Sequence, residues 1–198
     1  IEGVALQLGE TATIKNILDL KPDAVIIAVG AASFSPNLPG IEGRNVCDAW
    51  SVLSGKENVQ GRVAVIGGGL VGCETAEFLA EKGCKISLIE KKNTIADGIS
   101  NTVLPTLLEN YRIFGVEQYT GHIVKSISIS QIVCESNNGE EVIIPCDFVV
   151  MAIGSKSVDF DTTELVGAGI EVVKIGDCKE VADISHAIKT GYDAANAL

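Results

Sequence analysis

Three glycines spaced G-x-G-x-x-G, between a strand-like run and a helix-like run, leave a chain few ways to fold. Here they are Gly67, Gly69 and Gly72, preceded by the apolar run Val63-Ala64-Val65-Ile66 and followed by Cys73 to Ala80, which reads as a helix. Lys85 to Glu90 reads as the next strand and closes on an acid. Strand, glycine turn, helix, strand and acid is the order of a dinucleotide-binding unit. Gly67 permits the tight turn out of the strand, Gly69 leaves room for a pyrophosphate, and Gly72 lets helix and strand pack closely. The helix N-terminus offers free N–H groups and a partial positive charge to phosphates. Glu90 falls about 20 residues on, where a ribose-binding acid belongs. The bland alternative, a strand-to-helix turn with no ligand, gives Glu90 no reason to stand at the end of a buried strand.

The glycine unit sits inside a longer pattern. Ala24 to Gly30 and Asp147 to Gly154 are both continuously apolar and end at a glycine, as strands buried on both faces of a parallel sheet do. They share Asp, four apolar residues, Ala, one apolar residue and Gly, which suggests two related nucleotide-binding lobes; chance likeness between buried strands is the alternative. Before the first lie a short apolar run, Val4 to Leu8, and a helix marked by Ile14, Ile17, Leu18 and Leu20. Residues 31–45 read as loop, with Pro36 and Pro39-Gly40 as turn signals, and Asp48 to Leu53 as a short helix. After Glu90, the spacing predicts a helix over 101–114 with Pro105 in its first turn. Three short strands follow (His122 to Ile129, Gln131 to Glu135, Glu141 to Ile144) as an antiparallel meander, with a turn at Ser136-Asn137-Asn138-Gly139. A strand over 172–178 ends in Gly176-Asp177, and a helix follows from Ser185, a candidate N-cap, to Leu198. Asp177 sits where α/β sheets bind ligands, although a turn or capping role explains it as well.

With 198 residues, 46% of them hydrophobic, the chain can bury a core as one domain or two small ones. Its net charge of −11 disfavours nucleic acid or an anionic membrane surface as partner. No apolar run approaches the roughly 20 residues that span a bilayer. The six cysteines form no C-x-x-C, so spacing indicates neither a dithiol pair nor a metal or cluster ligand set, and the two histidines are too few and too separated for a metal site of their own. Free thiols in apolar surroundings suit a reducing, cytoplasmic setting.

As a set these residues resemble the two-dinucleotide-fold flavoprotein reductases. Gly67 to Glu74, the two Ala-x-Gly strands and Ile175-Gly176-Asp177-Cys178 carry the likeness. Lys21 to Ala28, Pro39-Gly40-Ile41, and His186-Ala187-Ile188 leading to Gly191-Tyr192 narrow it to the carboxyl-terminal part of the 2-enoate reductase, 2,4-dienoyl-CoA reductase and trimethylamine dehydrogenase family. The resemblance implies a Rossmann-like α/β fold with parallel sheet, helices and β-meander: a complete NAD(P)H lobe at 59–156 inserted in a partial FAD-type lobe, 1–58 with 157–198. It implies that Gly67, Gly69, Leu70, Val71 and Gly72 hold the pyrophosphate, and that Glu90 takes the ribose hydroxyls with Lys91 beside it. Asp177 would bond the flavin ribityl chain, Ser185 and His186 would open the helix aimed at the flavin ring, and Gly30 and Gly154 would close each lobe. Glu90 favours NADH, because a carboxylate repels a 2′-phosphate; Lys91 and Lys92 offset part of that repulsion.

In that family a first glycine motif, for FAD, precedes the region where this chain begins. FAD is therefore expected in the full-length enzyme rather than in this chain, and FMN, a 4Fe-4S cluster and the substrate site are expected in a barrel domain outside it. The chain thus reads as a piece of an NADH:flavin oxidoreductase that reduces an enoate-type substrate, partnered by the rest of its polypeptide. No catalytic acid or base is named. The alternatives are a non-catalytic NAD(H)-binding sensor or docking module and a methyltransferase-like fold, which lacks the second Ala-x-Gly strand and the Gly-Asp.

Overall fold

The structure, a computed structural model, describes residues 3–198, and they divide into two compact units. One runs up to Ala32 and resumes over Ser155–Leu198; the other is Ser33–Gly154. The chain opens with α1 (Ile14–Asp19), β1 (Ala24–Ile27) and β2 (Ala31–Ser33). The second unit follows with β3 (Val46–Asp48), α2 (Ala49–Leu53), β4 (Arg62–Ile66), α3 (Leu70–Glu81), β5 (Lys85–Glu90), α4 (Leu104–Phe114) and β6 (Glu117–Thr120). It continues through β7 (His122–Ile127), β8 (Gln131–Ser136), β9 (Glu141–Pro145) and β10 (Phe148–Met151). The first unit resumes with β11 (Ser155–Ser157), α5 (Thr163–Gly167), β12 (Glu171–Lys174) and α6 (Ile184–Ala197).

The second unit has three layers. Its middle is a five-stranded parallel sheet in the order β3-β10-β4-β5-β6. Val63 and Val65 of β4, Ile86 and Leu88 of β5 and Val150 of β10 point to one face. There they pack with Cys73, Ala76 and Leu79 of α3 and Leu107 and Tyr111 of α4. Ala64, Ile66, Ile89, Val149 and Met151 point to the other face and meet Ile127, Ile132, Cys134 and Ile144 of the antiparallel meander β7-β8-β9. A strand covered on both faces has no polar alternation, which is why these runs are apolar throughout. Tyr111 donates its hydroxyl proton to the Cys73 carbonyl at 2.8 Å and so ties α4 to the start of α3. The helix predicted over 101–114 begins at Leu104, with Pro105 in the first turn and Gly115 as a left-handed cap at φ +70°. The Ser136 to Gly139 turn lies where the sequence placed it.

The neighbouring starts of β4 and β10 are pinned by Arg62 and Asp147. The carboxylate accepts the guanidinium at 2.6 and 3.2 Å and the Arg62 N–H at 2.9 Å, which holds the Asp147 carboxyl down at about 2. A depressed acid contributes stability above its unfolded value, 3.8, and loses it as pH falls through about 2. Asp147→Asn is therefore expected to be less stable than the parent in urea titrations at pH 7. The gap should close at about pH 2; a gap that persists there would show that the charge is not its cause.

In the first unit β1 pairs in parallel with β12, from Ala24↔Glu171 to Ile27↔Lys174, and β2 pairs with β11. The structure corrects the expectations for the run over 24–30 and for the cap of α6. The run over 24–30, read as buried on both faces, forms strand only to Ile27 and leaves Ile26 40% exposed, because β12 is its sole strand partner among the described residues. Val4 to Leu8 forms no strand, and Leu6 and Leu8 are exposed. Asp183, not Ser185, caps α6: its carboxylate accepts the His186 N–H at 2.7 Å, and Ser185 is already helical. The larger compact unit, Ser33–Gly154, starts well ahead of position 59, where the sequence reading opens its NAD(P)H lobe. The early boundary follows from β3, which pairs with β10 (Val46↔Val149), and from Asn45, whose side chain donates to Ser128 O at 3.0 Å.

Candidate dinucleotide site

The register of the sheet brings the carboxyl ends of three strands level: Met151 pairs with Ile66, and Ile66 with Ile89. The residues that follow, Ala152 to Gly154, Gly67 to Gly69, and Glu90 itself, therefore stand side by side. This is the edge of a parallel sheet where ligands of α/β folds bind. A cleft of about 450 Å³ opens there, within the range of small-molecule sites.

Each motif glycine has a measurable reason. Gly67 has φ +109°, and a Cβ on it would lie 2.5 Å from Ala152 O, so the turn accepts no side chain. A Cβ on Gly72 would fall 1.8 Å from Gly67 O; the first turn of α3 lies against the loop it leaves. At Gly69, the N-cap of α3, a Cβ would meet nothing within 4 Å and would extend into open space where Gly69 lines the cleft. Gly68, between the motif positions, is also constrained: a Cβ would come within 2.9 Å of Glu90 Cβ and 2.8 Å of Ile95 Cγ2. Gly68 is thus the floor against which Glu90 rests.

Glu90 is held by two backbone donors. Its Oε2 accepts from Gly68 N at 2.6 Å and its Oε1 from Lys92 N at 2.8 Å. Each oxygen keeps a further lone pair for an outside donor, such as a diol. The glycine loop is closed from the other side by Ala96 N, which donates to Gly68 O at 2.7 Å. The Cys73 thiol donates to the same carbonyl at 3.3 Å, and burial pushes its pKa up and keeps it protonated for that role. The first N–H groups of α3 begin at Leu70 and Val71, with the helix dipole behind them.

The walls of the cleft contain residues the sequence reading missed. Glu90 and Lys91 after β5, His122, Ile123 and Val124 of β7, Ala152, Ile153 and Gly154 after β10, and Pro36, Asn37 and Leu38 all line it. His122 and its neighbours are brought in because Gly121 N donates to Lys92 O at 2.8 Å, joining the loop after β5 to the start of the meander. His122 Nδ1 lies 2.6 Å from Thr120 O, so it carries the proton there and leaves Nε2 as an acceptor in the neutral ring, which stacks edge-on against Tyr119. In the sequence only the turn signals around Pro36 and Pro39 hinted at one wall, and nothing marked His122.

Gly67, Gly69, Glu90, Lys91 and Gly154 meet at this cleft. Leu70, Val71 and Gly72 form the first turn of α3 beside it. The other four residues lie in the first unit. Gly30 has φ +74° between β1 and β2, with nothing within 4 Å of where a Cβ would stand. Asp177 stands in a 3-10 turn, where its side chain accepts the Ala182 N–H at 3.2 Å, which matches the turn role that the sequence also allowed. Ser185 and His186 lie in the first turn of α6.

A five-stranded parallel sheet with an N-terminal helix cap, a glycine turn and a strand-end acid defines the class: a Rossmann-type dinucleotide-binding fold. The chain matches the family described as pyridine nucleotide-disulphide oxidoreductase over residues 3–183, and it belongs to that family. It is 45% identical over 196 residues to a bilirubin reductase of Mediterraneibacter gnavus, covering 98% of this chain and 30% of that protein. An NADH oxidase of Thermoanaerobacter brockii is 36% identical over 198 residues, with 98% of this chain and 30% of that protein covered. Among solved structures, 2-naphthoyl-CoA reductase in complex with 2-naphthoyl-CoA superposes with a TM-score of 0.86 at 28% identity, over 96% of this chain and 29% of that one. The chain thus spans about 30% of the length of these curated relatives. The resemblance to the enoate-reductase group of flavin-dependent NAD(P)H oxidoreductases stands, and relatives named as reductases and oxidases lend no support to a non-catalytic docking module.

Proposed function

We propose that residues 33–154 bind NADH and present it for hydride transfer to FAD, in an oxidoreductase whose final acceptor is an enoate-type or related substrate. The observation that carries this reading is Glu90, fixed by Gly68 and Lys92 N–H groups beside the N-terminus of α3 and opening on a cleft of nucleotide size. In this reading the N–H groups of Leu70 and Val71 hold the pyrophosphate, Gly69 leaves it room, and Gly67 and Gly72 keep the loop tight. Glu90 accepts both ribose hydroxyls. The adenine end then lies toward Lys91, His122 and Ile123 on the β5 side, and the nicotinamide end toward Ala152 to Gly154. When bound, the nicotinamide supplies the hydride and the flavin receives it; the protein contributes position and electrostatics.

In the first unit, Gly30, Asp177, Ser185 and His186 are proposed to face FAD in the full-length enzyme. FMN, a 4Fe-4S cluster and the substrate site belong, in the same reading, to a barrel domain of the parent polypeptide. A cytoplasmic setting is supported by six free cysteines, three of which, Cys47, Cys134 and Cys146, are pushed by burial to about 11 and stay protonated at neutral pH. Among the described residues no helix is long and apolar enough to cross a membrane.

Calorimetric titration with NADH and NADPH tests the reading. NADH is expected to bind roughly tenfold more tightly, a difference of about 1.4 kcal/mol, and Glu90→Arg to level or reverse that order. Failure of both nucleotides to bind would overturn it.

A further inference from the structure

Two lysines directly follow the ribose acid, and a 2′-phosphate placed at Glu90 would be expected to recruit them. They are not equivalent. Lys91 lines the cleft and has no ion-pair partner among the described residues. Lys92, whose backbone N–H holds Glu90, turns its ammonium away to Asp97 Oδ2 at 2.7 Å. The other Asp97 oxygen lies 3.4 Å from the Thr94 hydroxyl.

Asp97 is delivered to this position by the same loop that closes the glycine turn. Ala96, in the left-handed region at φ +64°, donates its N–H to Gly68 O at 2.7 Å, and the next residue is Asp97. The far end of the loop is fixed by Gly121 N on Lys92 O. A left-handed non-glycine residue is strained and persists only where its surroundings hold it. The pair itself is largely exposed, with 66% and 55% of the two side chains in solvent, so it adds little to the stability of the fold. Its consequence is local charge. Glu90 and Asp97 balance Lys91 and Lys92, so these four residues at and beside the ribose end carry no net charge, and of the two lysines one is already engaged.

We infer that Asp97 is a selectivity residue: by holding Lys92 in an ion pair it withholds that lysine from a 2′-phosphate and so excludes NADPH in favour of NADH. The inference rests on the nucleotide reading proposed above. It differs from the role of Glu90, which acts by direct repulsion and by accepting the diol. Asp97 touches no ligand and works through Lys92. Breaking the pair leaves the Glu90 contacts in place, because those come from the Gly68 and Lys92 backbone and not from the lysine ammonium.

The test is a fluorescence titration of the parent, Asp97→Asn, Lys92→Gln and the double variant with NADH and with NADPH, at low and moderate salt. Asp97→Asn is expected to tighten NADPH about two- to fivefold, more at low salt, and to change NADH by less than about twofold. The gain should vanish in the double variant. Unchanged NADPH affinity in Asp97→Asn, in a protein that binds NADH, would overturn the inference and leave the nucleotide site standing. A gain that survives loss of Lys92 would also overturn it, since Asp97 would then act only as a general negative charge. Absence of NADH binding by the parent would remove the underlying reading and this inference with it.

Discussion

Gly69→Asp is expected to abolish NADH binding, by at least a hundredfold, while leaving the protein as stable as before or slightly more so. The two halves of this result have different causes. Gly69 is the N-cap of α3 at φ −74°, a conformation open to any residue, and a Cβ there meets nothing within 4 Å. Aspartate is among the best N-cap residues, because its carboxylate accepts the orphan N–H groups of the first turn; relative to glycine it adds a few tenths of a kcal/mol. The same carboxylate would occupy the place proposed for the pyrophosphate and oppose its charge. Isothermal calorimetry with NADH and a urea titration read the two effects separately. A variant that loses stability along with binding would mean that Gly69 serves the fold rather than the ligand. A variant that still binds NADH would place the nucleotide elsewhere.

Gly72→Ala should show the opposite profile, a stability loss of about 3 kcal/mol or more. In an ordinary helix interior this substitution is favourable by up to about 1 kcal/mol. Here the added methyl would sit 1.8 Å from Gly67 O, 2.8 Å from Gly67 C and 3.3 Å from Ala152 Cβ. The first of these atoms is backbone, in a loop already committed to φ +109°, so the clash is relieved only by moving α3 away from the sheet. That displacement disturbs the packing of Cys73, Ala76 and Leu79, all buried. Gly69→Ala is the matching control, expected within about 0.5 kcal/mol of the parent. Denaturant titration of the pair checks the claim; equal stability for the two variants would show that α3 does not depend on close approach at Gly72.

The contrast between these glycines explains what was legible in the sequence. The β4, glycine loop, α3, β5 and Glu90 series was readable because each part obeys a local rule: continuous apolar strands, glycines at turns, a helix period and an acid at fixed spacing. The meander was readable for the same reason, with Gly139 marking its turn. What could not be read depends on long-range pairing. β3 is three residues long and has no pattern of its own; it belongs to the larger unit because Val46 to Asp48 find a place beside β10. β6 is polar, Glu-Gln-Tyr-Thr, as an edge strand allows, and periodicity gave it no signal. β1 shares its pattern with β10, yet β10 lies between two strands and β1 beside one, so like sequences have unlike burial. At the site, Glu90 announced itself by spacing, whereas His122 and the Pro36 to Leu38 wall are present only because loops distant in sequence were tied together.

A nicotinamide dinucleotide is expected to occupy this cleft with its phosphates on the glycine loop. Backbone amide shifts of the isotopically labelled protein, followed by NMR during an NADH titration, ask this directly. The largest changes are predicted at Gly69, Leu70, Val71 and Gly72, at Glu90 to Lys92, and at His122 to Val124, with Gly69→Asp silent throughout. Changes centred on other residues, or none at saturating NADH, would contradict the assignment.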